Sequence, residues 1–379
     1  MQKTPGGFRL GKAFGVEIRI DWSLLIIFFL LAFNLGAGVL PAWHPGWMPA
    51  FTWMLAVVAS ILFFASVLAH ELSHALVARR RGLRMHGITL FIFGGVAEMA
   101  DEPRDAKTEF LMAVGGPIAS FVLAFVFYQL YLFVGRDTPT AVSGVLYYFA
   151  FVNLLLGAFN LVPGFPLDGG RMLRAALWGW KKDLRWATRV SAAIGGGFGM
   201  ALILLGVLVF VQGNFVTGMW YFLIGMFLRN AAGMSYQQLL VRDAIKGESV
   251  RRFMNPQIVT VDPGITVARL VSDFVYQSHH KAYPVVQYDR LMGIVSTDQI
   301  KTVPPPEWDR RTVHEIMLPC TDDNTIGPDT DVLNAWNRMS RTGKSRLMVV
   351  ENKKLLGMLA LSDLMKFLAL KFDLERASG

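Results

Sequence analysis

Met54-Leu-Ala-Val-Val-Ala-Ser-Ile-Leu-Phe-Phe-Ala-Ser-Val-Leu-Ala69 runs without a charge into His70-Glu71-Leu72-Ser73-His74. The apolar stretch extends from Phe51 to Val77, long enough as a helix to cross the roughly 30 Å hydrocarbon core of a bilayer. On that helix His70 and His74 fall one turn apart on one face, where both imidazoles reach a single cation. Glu71 projects beside them and is not required as a ligand. It is therefore free to act as a general base toward water. The pattern is H-E-x-x-H, a zinc signature, and its place in an apolar run implies hydrolysis at membrane depth.

Outward from this segment the composition agrees. The 379 residues are 53% hydrophobic and 17% charged, more apolar than a soluble globular chain. The apolar content lies before about residue 235, and the charges thicken after it, which predicts a membrane domain followed by a soluble one. Six stretches are long and apolar enough to span: 22–40, 51–77, 109–134, 142–162, 189–211 and 216–234. Basic residues alternate across the connections. Lys3, Arg9, Lys12 and Arg19 precede the first span, and none lie between Pro41 and Ala50. Arg79, Arg80, Arg81 and Arg84 follow the second span, while only Arg136, beside Asp137, follows the third. Arg171, Arg174, Lys181, Lys182, Arg185 and Arg189 follow the fourth and none the fifth, while Arg229 lies toward the end of the last and Arg242 follows it. The positive-inside rule then places both termini in the cytoplasm, in the cell membrane. It also accounts for most of the net charge of +9 without nucleic acid as a partner. Trp43, Trp47 and Trp53 cluster at the outer interface, where amphipathic rings belong. Cys320 is the only cysteine, so no intrachain disulfide forms, consistent with a reducing compartment for the soluble half.

Two histidines do not complete a catalytic zinc site, which takes three protein ligands and one open position. The third candidate is Asp168 in Asn160-Leu-Val-Pro-Gly-Phe-Pro-Leu-Asp168-Gly-Gly-Arg171. Pro163, Pro166, Gly169 and Gly170 break the helix there and let irregular backbone carry a carboxylate inward. Such backbone is tolerated at membrane depth only when buried in protein or lining a wet cavity. An acidic group there needs a partner, which a cation supplies. Between the two motifs, Gly87 to Glu98 is too short to span. It is rich in β-branched and aromatic residues, with Gly94-Gly95 at a turn position, and predicts a small sheet or re-entrant hairpin. Gly115-Gly116-Pro117 reads as a close helix approach. Residues Arg171 to Arg189, with Trp178, Trp180 and Trp186, read as an amphipathic interfacial helix.

H-E-L-S-H followed by N-x-x-P-x-x-x-L-D-G-G resembles the site-2 protease family of intramembrane zinc metalloproteases, in the bacterial and archaeal branch with a C-terminal CBS pair. The resemblance covers nearly the whole chain. It implies that His70, His74 and Asp168 bind one Zn2+, that Glu71 is the general base and that Asn160 helps hold the substrate carbonyl or oxyanion. The expected substrate is a membrane-spanning segment of a regulatory protein. Two other readings are a CBS-regulated ion or metal transporter and a catalytically silent zinc-binding scaffold. A transporter predicts polar residues across several spans and symmetry between halves, and here the polar groups gather at two motifs. Intact Glu71 argues against the scaffold.

The soluble half contains a repeat. Val250-Arg-Arg-Phe-Met254 parallels Val313-His-Glu-Ile-Met317, and Leu291-Met-Gly-Ile-Val295 parallels Leu355-Leu-Gly-Met-Leu359. Two similar α/β units follow. They resemble a CBS pair, which implies a homodimer and an adenine nucleotide as candidate ligand. The expected domains are a six-span membrane domain at 1–234, a linker at 235–249, and CBS units at 250–308 and 309–372. Neither unit carries the full nucleotide pattern. Ser296 is present in the first, but Asp298 comes one residue early. The second has Asp363, but Ala360 replaces the hydroxyl. Nucleotide binding and a purely structural role both stay open.

Overall fold

The computed structural model describes residues 7–92, 94–99, 103–135 and 140–377. These divide into two compact units, with the boundary between Leu239 and Leu240.

The first unit begins with two strands, β1 (Phe8–Ala13) and β2 (Val16–Ile20). Helix α1 (Ser23–Phe33) continues through a π-turn into α2 (Leu40–Trp43). Helix α3 (Pro49–Arg80) carries the His-Glu motif. Proline in its first turn fixes the start, since a missing N–H costs nothing there. Its end is a Schellman motif: Gly82 takes φ +79°, and the Leu83 N–H reaches the Ala78 carbonyl at 3.1 Å. Strands β3 (Met85–Phe91) and β4 (Gly94–Met99) follow. Then come α4 (Ala106–Gly135), α5 (Ala141–Asn160), α6 (Asp168–Lys181), α7 (Leu184–Val211) and α8 (Phe215–Ile245). Asp105 caps α4. Hydrogen bonds donated by the Thr108 N–H and hydroxyl hold its carboxyl below the usual range.

Among the described residues, five helices are long and apolar enough to cross a membrane: Ser23–Trp43, Pro49–Arg80, Ala106–Val134, Val142–Asn160 and Leu184–Val211. The sixth expected span, 216–234, is helical within α8 but is too diluted by Trp220, Tyr221 and the Arg229-Asn230 pair to join them. It packs closely on α7. A Cβ on Gly206 would stand 2.7 Å from the Gly218 carbonyl oxygen, the backbone approach that small residues allow between membrane helices.

The β element is larger than the sequence predicts. A four-stranded sheet runs in the order β1-β2-β3-β4. β2 pairs with β3 in parallel and β3 with β4 antiparallel. Phe91 pairs with Gly94, so Gly94 and Gly95 open β4 and do not form the turn. Val16, Ile88 and Leu90 of this sheet share a core with Val67 and Ala75 of α3, which fixes β3 and β4 beside the motif helix.

The second unit holds the two expected α/β repeats. β5 (Ala282–Gln287), β6 (Arg290–Ser296) and β7 (Leu318–Pro319) form one sheet. β8 (Thr325–Ile326), β9 (Arg346–Glu351) and β10 (Lys354–Ala360) form the other. Each has its own core, one around Tyr283, Val285 and Val295 and one around Leu347, Val349 and Leu359. Leading segments cross between them: Val250 packs in the second core and Val313 in the first.

Candidate metal centre

Helical spacing carries His70 and His74 onto the buried face of α3, at 3% and 7% exposure. Their Nε2 atoms converge to 3.3 Å. Asp168, the first residue of α6, brings Oδ2 to 2.9 Å from His70 Nε2 and 3.1 Å from His74 Nε2. Three ligands at about 2.0–2.1 Å from a tetrahedral ion stand roughly 3.3 Å apart, so this triangle has the dimensions of a zinc face.

The far sides of both rings are held. His74 Nδ1–H donates to the Met112 carbonyl at 2.7 Å, which leaves its Nε2 lone pair directed to the centre. His70 Nδ1 is 2.9 Å from Ser120 Oγ. Both partners lie on α4, and so does Gly116. A Cβ there would overlap His70 Nε2 and His74 Nε2 together, so glycine keeps the space in front of both nitrogens clear. Ser73 Oγ–H donates to the Gly115 carbonyl at 2.8 Å and fastens α3 to α4 at the same level. The donor set, the held Nδ1 atoms and the cleared cradle all suit a cation. His70, His74 and Asp168 form a group of three such ligands among the described residues.

Glu71 is half-buried and faces β4. A Cβ on Gly95 would come within 2.8 Å of its carboxyl carbon, so only a bare strand backbone fits beside it. β4 pairs with β3 on one side and, among the described residues, ends the sheet on the other.

Asp168 arrives by the predicted helix break. Leu161 to Leu167 form tight turns, with the Phe165 N–H bonded to the Ser191 carbonyl of α7 at 3.2 Å. Asn160 ends α5, and its side-chain amide donates to the Leu156 carbonyl of its own helix at 3.0 Å. The structure thus gathers His70, His74 and Asp168 and sets Glu71 beside β4, while Asn160 is bonded elsewhere. In the second unit, Ser296 Oγ accepts from the Asp298 N–H at 3.2 Å and caps a helical turn. Asp298 pairs with Lys301 at 3.4 Å on the surface. Asp363 lies in the first turn of the helix Leu361–Ala377.

Residue-by-residue reading of the sequence missed Met112 and Ser120, and it placed Gly95 at a turn and not beside Glu71. Met112 acts through its backbone, which leaves no side-chain signal. Gly116 was visible as a close approach, but its target was not.

Residues 58–138 and 135–206 match the model of peptidase family M50. Residues 250–304 and 313–370 match that of the CBS domain. The chain is 35% identical over 362 residues to a Mycobacterium tuberculosis protein that carries the name "Putative zinc metalloprotease Rip3", covering 95% of this chain and 92% of the relative. It is 31% identical over 326 residues to zinc metalloprotease MJ0392 of Methanocaldococcus jannaschii, covering 84% and 88%. Among solved structures, the site-2 protease from Methanocaldococcus jannaschii is 30% identical. It aligns with a TM-score of 0.44 over 61% of this chain and 95% of that one.

Proposed function

The chain belongs to peptidase family M50, the site-2 protease family of zinc metalloproteases, in the form that carries a CBS pair, and from that premise we propose that it cuts peptide bonds within membrane-embedded segments of regulatory protein substrates. The carrying observation is the triangle of His70, His74 and Asp168, with Glu71 beside a sheet edge.

His70, His74 and Asp168 would hold the Zn2+. Bound there, zinc supplies a Lewis acid that polarises the scissile carbonyl and acidifies water. Glu71 accepts the proton of the attacking water and delivers it to the leaving amine. Asn160 exchanges its Leu156 bond for the developing oxyanion and donates to it through the amide. A substrate helix hides its peptide bonds in the i to i−4 ladder and must unwind to be cut. The outer edge of β4 offers the freed backbone a new set of partners, by strand addition next to Glu71. Both termini face the cytoplasm of the cell membrane, and the arginines that end α3 mark the side from which water reaches the site.

The CBS pair serves as a dimerisation and regulatory module. Its incomplete motifs leave an adenine nucleotide and a purely structural role as the two possibilities. Titration calorimetry of the whole protein with ATP, ADP and AMP decides between them: heat with any one favours the ligand role, and no heat with all three the structural one. Light scattering at half the expected dimer mass would refute dimerisation.

Glu71→Gln tests the mechanism. The variant is expected to keep its zinc and to lose cleavage of a membrane-embedded substrate by a factor of about 10² or more. Full activity would refute the assignment. Comparing membrane-protein fragments from wild-type and Glu71→Gln cells identifies substrates. Zinc flux in proteoliposomes without any proteolysis would favour the transporter reading.

A further inference from the structure

Glu109 is a carboxylate at 1% exposure in the first turn of α4. Arg174 of α6 meets it: Nε donates to Oε1 at 2.6 Å, and Nη2 bonds the same oxygen. The guanidinium also lies 5.0 Å from the centre of the Phe165 ring, in the turn that leads to Asp168. Phe165 is itself buried. A pair this deep is poorly explained by stability alone. Glu109 is taken out of water while the Arg174 side chain keeps 17% exposure, and the cost of desolvating the carboxylate offsets much of the attraction, so apolar residues of like volume often serve as well.

What the pair joins is informative. Glu109, Met112, Gly116 and Ser120 are spaced i, i+3, i+7 and i+11 and so share one face of α4. Met112 and Ser120 hold the two imidazoles, and Gly116 clears the space before them. Arg174 belongs to the helix whose first residue is Asp168. The pair therefore links the helix that aims the histidines to the helix that carries the carboxylate. The fork of Arg174 has fixed geometry, which a lysine lacks.

We propose that Glu109 and Arg174 are positioning residues that set the distance of Asp168 from His70 and His74, and through it the affinity of the centre for its cation. The proposal rests on the metal reading given above. It assigns the pair no contact with substrate.

The test measures zinc affinity of the full chain in detergent micelles by competition with a chromophoric chelator, alongside Tm. Glu109→Gln and Arg174→Lys are each expected to bind zinc about tenfold or more weakly than the parent. The double variant Glu109→Met, Arg174→Met removes both charges of the pair together. It is expected to melt no lower than either single variant and still to bind zinc about tenfold more weakly than the parent. Tight binding by the parent with equal binding by the double variant or by folded Glu109→Gln would make the pair a packing feature and overturn the proposal alone. A parent chain that binds no zinc overturns the metal reading, and this proposal with it.

Discussion

At the scale of residues, the centre depends on what surrounds its ligands as much as on the ligands. Each imidazole has one nitrogen fixed by α4 and the other presented to the centre, which removes the tautomer and rotamer freedom that binding would otherwise have to freeze. Gly116 is the most exposed to test. Alanine is the better helix former by about 1 kcal/mol, but here its methyl overlaps two held imidazoles, so Gly116→Ala should gain no stability and should displace the rings. Its methyl group meets both Nε2 atoms, and zinc affinity is expected to fall by roughly 10–100-fold. Chelator competition checks this, and parent-like affinity would show that α4 yields without cost. The residues an observer can pick from the sequence are those whose side chains carry chemistry: His70, Glu71, His74 and Asp168. Met112 contributes a carbonyl and Ser120 a small hydroxyl in an apolar helix, and neither stands out until α4 is laid against α3.

At the scale of elements, the proposed strand addition turns on the outer edge of β4 beside Glu71. Proline cannot donate to a ladder, and successive N–H groups along a strand point to opposite sides. Val96 and Ala97 are consecutive in β4, so one of them directs its N–H to the outer edge. Val96→Pro and Ala97→Pro are expected to differ. The outward one should lower cleavage at least about tenfold with zinc content retained, because it removes a substrate hydrogen bond. The inward one should instead disturb the hairpin and lower Tm. Measuring cleavage, bound zinc and Tm for both decides the matter, and equal loss of zinc and activity in each would sink strand addition. The hairpin itself was legible from its β-branched residues. Its partners β1 and β2 were not, because Phe8 to Ile20 is interrupted by Gly11 and Gly15 and reads only as a basic segment before the first span. The parallel pairing of Glu17 with Gly87 joins segments separated by two membrane helices, which no local pattern reports.

At the scale of the whole molecule, the described residues form two compact units, and the proposed function gives hydrolysis to the first and control to the second. Cys320 offers a single exposed label in the soluble unit. In sealed cells a membrane-impermeant maleimide should leave it unmodified, and permeabilisation should allow reaction. Labelling of intact cells would reverse the orientation. Partial burial pushes the Cys320 thiol pKa up, so less thiolate is present at neutral pH and the rate should rise as the buffer is made alkaline.

The amino-acid sequence determined five of the six spanning helices it predicts, the charge asymmetry, the paired histidines and the repeat of the C-terminal half. These are local or periodic properties, and a bilayer, a helical turn or a strand pair reads them directly. Only the tertiary structure decided that α4 holds the far nitrogen of each histidine, that Gly95 lies against Glu71, and that Glu109 meets Arg174. Those are meetings of segments distant along the chain. Their geometry is set by how helices and strands pack, and the packing leaves no pattern in any one of them.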